Sequence, residues 1–294
     1  MAEEKDFTTR FEEHRGRMRA VAYRMLGSLS EADDAVQEAW LKASRADTGN
    51  VENPAGWLTT VIGRVCLDML RSRKSRREDF TDGQGSEPAV RLLRRADPEE
   101  EALLADSVGL ALLVVLDALS PAERLAFVLH DMFSVPFTEI APIVERTPET
   151  TQRLASRARR RVRGRTSVDD GDRMKRYQAV DAFLRAARDG EFEALLSLLD
   201  PNATYRPDET AFRIGGVGEV SGARNLAELL SGQADPARPV FLDGEVGVVV
   251  APRGKLLAVW RLVFDGGLIT EINAVAGREE LAEAELAVPD RENG

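Results

Sequence analysis

Between Thr147 and Val162 the sequence assembles residue types suited to reading base-pair edges. Thr147 is a capping residue and Pro148 suits a first helical turn, so a helix is expected over 148–162. Thr151, Leu154, Ala155, Ala158 and Val162 recur at helical spacing and form the face that should turn inward. Glu149, Gln152, Arg153, Ser156, Arg157 and Arg160 are then left facing outward. Gln pairs well with adenine and Arg with guanine in the major groove, each bidentate pair discriminating by roughly 1–3 kcal/mol. Arg159, Arg161, Arg163 and Arg165 suit phosphates, which position a protein without specifying sequence.

Such a helix needs a support. Phe137-Thr-Glu-Ile-Ala lies on a preceding helix, expected over 136–144, and Glu145-Arg-Thr is a three-residue turn. Two consecutive helices joined this way have helix-turn-helix geometry, in which the second helix enters the major groove. An ordinary helical hairpin with a solvated basic face is the competing reading. Upstream, Ser120-Pro-Ala-Glu123 is a capping box with proline at its first position, opening a helix that runs to about Asp131.

Charge distribution favours a nucleic-acid partner despite a net charge of −10. From Gln178 onward there are 11 basic and 20 acidic residues, which leaves the preceding part nearly neutral. Within that part, Arg64–Arg77 holds six basic residues and one acid, and Thr151–Arg165 holds seven arginines and none. Basic blocks on near-neutral domains are the footprint of duplex contact. No run of about 18 apolar residues argues for a membrane span, and the start Met1-Ala-Glu-Glu-Lys-Asp lacks the apolar core of a secretory signal. The single cysteine, Cys66, and the two histidines, His14 and His130, offer no metal cluster and fit a reducing cytoplasm. Neither a metal nor a cofactor is expected. Cys66 reads as a packing residue and His130 as a structural one.

Three modules emerge along the chain. Residues 1–78 read as a helical bundle: Phe11, Met18, Val21, Ala22 and Met25 on a first helix ended by Gly27, then a second helix with Ser30 and Asp33 as its capping arrangement. Asn53-Pro54 opens a third, bearing Trp57, Leu58, Val61, Ile62, Val65, Leu67, Met69 and Leu70. Residues 79–98 read as a linker, 99–166 as the helix-turn-helix module, and 167–175 as a second linker. In 176–290 two amphipathic helices break at Asp189-Gly190, a short helix is expected over Ala223–Leu230, and strands follow. Val246, Val248 and Val250 alternate, as do Leu256, Ala258, Trp260, Leu262 and Phe264, before Asp265-Gly-Gly turns into Ile269–Val275. The fold class is therefore multidomain: two all-α domains followed by an α+β domain.

Ser120-Pro-Ala-Glu-Arg-Leu-Ala-Phe-Val-Leu, Phe137-Thr-Glu-Ile-Ala and Leu154-Ala-Ser-Arg-Ala-Arg together resemble region 4 of extracytoplasmic-function sigma factors. Asp33-Asp-Ala-Val-Gln-Glu-Ala-Trp-Leu-Lys-Ala resembles region 2.2, and Pro54-Ala-Gly-Trp-Leu-Thr-Thr-Val-Ile-Gly-Arg resembles regions 2.3 to 2.4. The resemblance implies a factor that binds core RNA polymerase at the β′ clamp and β flap and directs initiation, with −35 recognition by the region 4 reader. For the β′ clamp it implies Asp33, Asp34, Gln37, Glu38 and Trp40, although an acidic helix start also suits the helix dipole and Trp40 also reads as a core aromatic. For −10 opening and capture of a flipped base it implies the Asp47–Asn53 loop with Asn53, Trp57, Thr60, Arg64, Arg71 and Arg73. Single-strand capture combines stacking with a basic track, though Trp57 equally suits a core.

Val180–Val275 resembles SnoaL-like members of the NTF2-like superfamily, through Phe183-Leu-Arg-Ala-Ala-Arg-Asp-Gly and Phe192-Glu-Ala-Leu-Leu-Ser-Leu-Leu-Asp-Pro-Asn-Ala. The whole chain is thus similar to the SigJ-type group of sigma factors. That implies a cone of curved sheet closed by helices, often with an apolar pocket for a small ligand, and a control role exerted through the linker. The residues implied are Glu87, Pro88, Asp265, Gly266 and Gly267. Two departures predict a rebuilt or weakened contact: only Glu87-Pro88 remains of a Trp-Leu-Pro-Glu-Pro-like motif, and Ala276-Gly-Arg-Glu-Glu-Leu replaces an Asn-Pro-Asp-Lys-Leu-like ending. Catalysis is not expected, because this module has no histidine and Asp208, Asp243 and Asp265 each sit beside turn formers. A free monomer in the cytoplasm is expected. A helix-turn-helix repressor with a ligand-sensing domain is the alternative; it leaves the first module unexplained.

Overall fold

The computed structural model describes residues 2–46, 53–79, 109–163, 170–232, 234 and 236–289. These fall into two units: the first takes 2–46, 53–79 and 116–160, the second 109–115, 161–163 and the described residues from 170 onward.

In the first unit, α1 (Ala2–Leu26), α2 (Leu29–Ala43) and α3 (Pro54–Asp79) form a bundle. Phe11, Met18, Val21, Ala22 and Met25 are all buried, as the spacing predicts. Gly27 takes a left-handed conformation (φ 74°) and its N–H bonds Tyr23 O at 2.8 Å, which ends α1. That stop places Ser28, in extended backbone, as the residue preceding α2. The capping arrangement expected of Ser30 and Asp33 is therefore not the one formed, and Asp33 instead accepts from Arg19 Nε at 2.7 Å. At the start of α3 the expected cap is present: Asn53 Oδ1 accepts from the Gly56 N–H at 3.0 Å.

The helix α4 (Leu110–Asp117) leads into α5 (Pro121–Phe127), which opens on the complete capping box of Ser120 and Glu123. Its expected continuation to Asp131 exists as a π-helical turn over Val128–Met132. Ser134 (φ 57°) then turns the chain into α6 (Phe137–Val144). His130 is satisfied structurally, its Nδ1 donating to Val135 O at 3.0 Å and its ring stacked on Phe137. Cys66 is wholly buried, and burial pushes its thiol up to about 12, so it packs and does not react.

The second unit is built on one sheet, in the order β2-β1-β6-β5-β4-β3-β7. In chain order come α8 (Asp170–Asp189), α9 (Phe192–Leu198), β1 (Leu199–Pro207), α10 (Glu209–Gly215), β2 (Val220–Ser221) and α11 (Ala223–Leu230). They are followed by β3 (Ala237–Leu242), β4 (Glu245–Val250), β5 (Ala258–Asp265), β6 (Leu268–Val275), α12 (Arg278–Glu283) and β7 (Leu286–Ala287). Helix α8 already begins at Asp170, within the stretch read as a linker. The expected hairpins of β3 to β6 form, but β1 pairs parallel with β6, a strand and a pairing that period-2 alternation did not suggest. Phe183, Leu184, Leu195, Leu226, Val248 and Ile272 are buried in one core between helices and sheet.

Candidate nucleic-acid interface

Glu145 holds a left-handed conformation (φ 56°) that ends α6, and α7 (Pro148–Arg163) begins three residues later. Thr147 Oγ1 accepts from the Thr150 N–H at 3.3 Å, which caps the reader. Thr151, Leu154, Ala155, Ala158 and Val162 are all buried; Leu154 and Ala155 pack on Ala126 with Ala122 and Phe137 beside them. One face thus anchors the helix. Glu149, Gln152, Arg153, Arg157 and Arg160 are exposed on the other, with Ser156 half-buried among them. Arg157 is 56% exposed and approaches Glu123 only at 3.6 Å, a weak ion pair that DNA can displace. Arg159 is held inward, its guanidinium 2.6 Å from Asp131, and is a structural group in this conformation rather than an open phosphate contact. At Glu149 the Thr147 hydroxyl and backbone N–H hold the carboxyl below its usual range. Arg165 lies outside the described residues.

On α3, Arg64 and Arg71 are exposed, Asn53 is exposed at the helix start, and Trp57 and Thr60 are half-buried. Trp57 is therefore neither a core residue nor fully free. Arg73 differs from its neighbours: it donates to Leu26 O at 3.2 Å and pairs with Glu31, bracing the end of α1 against α2. Its assignment to DNA is thus corrected for this conformation, because both partners hold the guanidinium inside the bundle. Of the Asp47–Asn53 loop, only Asn53 lies within the described residues.

On α2, Asp34, Gln37 and Glu38 are exposed, whereas Asp33 is engaged by Arg19. Trp40 meets Phe11 edge-to-face at 4.8 Å, so it is both a packing aromatic and the wall of a groove that Phe11, Val36, Gln37 and Leu41 also line. Leu41 is 52% exposed, a large apolar side chain beside the polar row. Sequence reasoning passed over Leu41; the available signal was an apolar residue lying off the buried stripe of α2.

In the second unit, Asp265 pairs with Leu268 across Gly266 and Gly267, both at positive φ (56° and 89°), which is the two-residue hairpin turn that glycines permit. Asp243 pairs with Arg261 at 2.6 Å and accepts the Glu285 N–H at 2.8 Å. Asp208 caps α10: its Oδ1 accepts from Ala211 N, and its Oδ2 from Ala276 N and Gly277 N. Burial opposes ionisation there, but the backbone donors win and hold the carboxyl below its usual value. Asp208 is therefore a knot tying α10 to the end of β6, not a solvated turn residue. Its stabilising contribution is complete above the ordinary value near 3.8 and is lost as pH falls through the lowered folded value. Asp208→Ala is expected to cost about 1–2 kcal/mol near neutral pH, and the deficit against the parent should shrink in acid, as read by chemical unfolding. Glu87 and Pro88 lie outside the described residues.

Residues 10–76 match the family model Sigma-70 region 2, and residues 109–162 match Sigma-70, region 4. The ECF RNA polymerase sigma factor SigJ of Mycobacterium tuberculosis (strain ATCC 25618 / H37Rv) is 36% identical over 250 residues, 82% of this chain and 80% of that protein. The chain belongs to the ECF RNA polymerase sigma factors. The probable ECF sigma factor SigI of the same strain is 32% identical over 265 residues, covering 89% of this sigma factor and 90% of its relative. A share of 82% cannot fit within residues 1–175, so the likeness to SigJ runs on into the C-terminal module of this sigma factor. The crystal structure of SigJ matches with a TM-score of 0.43 at 27% identity, covering 93% of this chain and 97% of that one. As an ECF sigma factor, the protein directs RNA polymerase to promoters. No helix among the described residues is long and apolar enough to cross a membrane.

Proposed function

We propose that this sigma factor reads the −35 element through Glu149, Gln152, Arg153, Ser156, Arg157 and Arg160, and the −10 element through Asn53, Trp57, Thr60, Arg64 and Arg71. The observation carrying this reading is the exposed polar row of α7 set opposite a fully buried stripe. Asp34, Gln37, Glu38 and Trp40, joined by Leu41, form the docking face for the β′ clamp, with Asp33 available once Arg19 releases it. The β flap takes the helix-turn-helix module. The factor works as a cytoplasmic monomer without metal or cofactor of its own. The C-terminal module modulates initiation rather than catalysing a reaction: Asp208 and Asp243 are engaged structurally, and the module has no histidine. A small ligand within it, and a contact of the linker at Glu87 and Pro88 with the Asp265-Gly-Gly turn, belong to the same proposal.

Run-off transcription with core polymerase tests the assignment when template and protein are altered together. Base substitutions at −35 should lose their effect in α7 variants, and those at −10 in Trp57→Ala and Arg64→Ala. Removing residues from about 175 onward should change the yield from an unaltered template. Insensitivity to all three changes would sink the reading.

A further inference from the structure

Helix α3 has a second buried face, and what covers it is the module that should read a different stretch of DNA. The Cβ position of Gly63 lies 3.2 Å from Leu129 Cδ1, 3.5 Å from Leu125 Cδ1 and 3.6 Å from Ile143 Cδ1. Glycine at this position lets α5 and α6 approach the α3 backbone closely. One turn and a half toward the N-terminus, the Cβ position of Gly56 is 3.1 Å from both Glu139 Oε2 and Asn53 Cγ. Asn53, Gly56, Thr60 and Gly63 fall along one side of α3 at helical spacing. The Glu139 carboxylate therefore stands beside the edge that would meet the −10 strand, where it repels phosphate.

Polar groups close the same contact. Arg124, only 2% exposed, donates Nε and Nη2 to Arg24 O in the last turn of α1 at 3.1 and 3.0 Å, and Nη1 to Asp117 at 3.0 Å. A cation thus satisfies a carbonyl that helix geometry leaves without an internal partner. Arg17 Nη2 donates to Phe133 O at 2.9 Å, while the guanidinium groups of Arg17 and Arg24 lie 5.7 and 5.2 Å from the Phe133 ring centre. Each of these groups can take up water when the contact parts, so the apolar centre at Gly63 is held by a separable polar rim.

Elements named −10 and −35 lie roughly 25 base pairs apart, about 85 Å of duplex at 3.4 Å per step. Modules whose side chains touch cannot occupy both at once. We propose that the free protein is held in a closed state, in which region 4 is latched onto the −10-reading helix by Arg124 and the Phe133 cradle and must be released before promoter engagement. The C-terminal module has no part in this latch. The inference rests on α3 as the −10 reader.

A lock and a wedge test it in the full chain. Cysteines placed at Arg17 and Phe133 and joined by a short bismaleimide should abolish initiation with core polymerase, while the same double variant without the linker initiates. Failure of the unlinked variant on templates altered at −10 to respond as the parent does would count against the α3 assignment, separately from the latch. Gly63→Gln should part the modules and raise affinity for a promoter duplex roughly tenfold if under about a tenth of the parent is open. Spin labels at Leu41→Cys and Arg146→Cys should then report a longer distance than in the parent. Equal initiation by linked and unlinked proteins, or a parent distance already as long as that of Gly63→Gln, would overturn the proposal.

Discussion

Replacing Arg153 and Arg157 together by alanine is expected to lower promoter affinity by about 2–4 kcal/mol, roughly 30- to 1,000-fold, if each makes one bidentate base contact. Both side chains stand on the exposed face of α7, whose opposite face is anchored by Thr151, Leu154, Ala155 and Ala158. The helix should therefore keep its place when they are removed. The two are not equivalent. Arg157 approaches Glu123 at 3.6 Å, so part of its gain on DNA is offset by leaving that carboxylate; Arg153 is exposed without such a cost among the ion pairs described around it. Arg153→Ala alone should accordingly be the larger single loss. Arg161→Ala and Arg163→Ala provide the contrast: they should weaken binding to all sequences alike and reduce the salt slope by about one each. Fluorescence anisotropy on a set of single-base promoter variants, repeated across salt concentrations, separates the two behaviours. A sequence-independent loss for the Arg153 variant would reassign it to the phosphates.

Phe183→Ala is expected to destabilise the C-terminal module by roughly 3–5 kcal/mol, since a wholly buried ring leaves a cavity that its neighbours only partly fill. Phe183 is 0% exposed and shares a core with Leu184, Leu226, Val248 and Ile272, so both the helical layer and the central strands lose contact with it. In a chain of two units, unfolding need not be a single transition. The denaturant midpoint of the second unit should fall while that of the helical unit stays in place. The same variant bears on control. Initiation should change in the direction produced by truncation from about residue 175, because an unfolded module cannot modulate the polymerase. A stability loss with unaltered transcription would leave the module without the regulatory role proposed for it.

Local rules carried much of the fold because they depend on residues within a turn or two of each other. The capping box of Ser120 and Glu123, the Asn53-Pro54 opening of α3 and the buried stripe of α7 all follow from side chains three or four residues apart. The Gly266-Gly267 turn is likewise local, since both residues need positive φ. Where a local competitor existed, the reading slipped by a residue or two. Gly27 ended α1 early enough to make Ser28, not Ser30, the residue before α2.

The exposed row of Glu149, Gln152, Arg153, Arg157 and Arg160 was thus legible in the sequence itself, because burying one stripe of a helix determines what the other side presents. Tertiary structure alone decided which cations remain available. Arg64, Arg71 and Arg73 look alike in the chain, but Arg73 meets Leu26 and Glu31 across the bundle. Arg124 reaches Arg24 a hundred positions away. The parallel pairing of β1 with β6 joins segments more than sixty residues apart, and β1 shows no alternation to announce it. Helix faces follow from a backbone period within one segment; the partner of a buried charge or an unpaired strand edge depends on which distant surfaces meet.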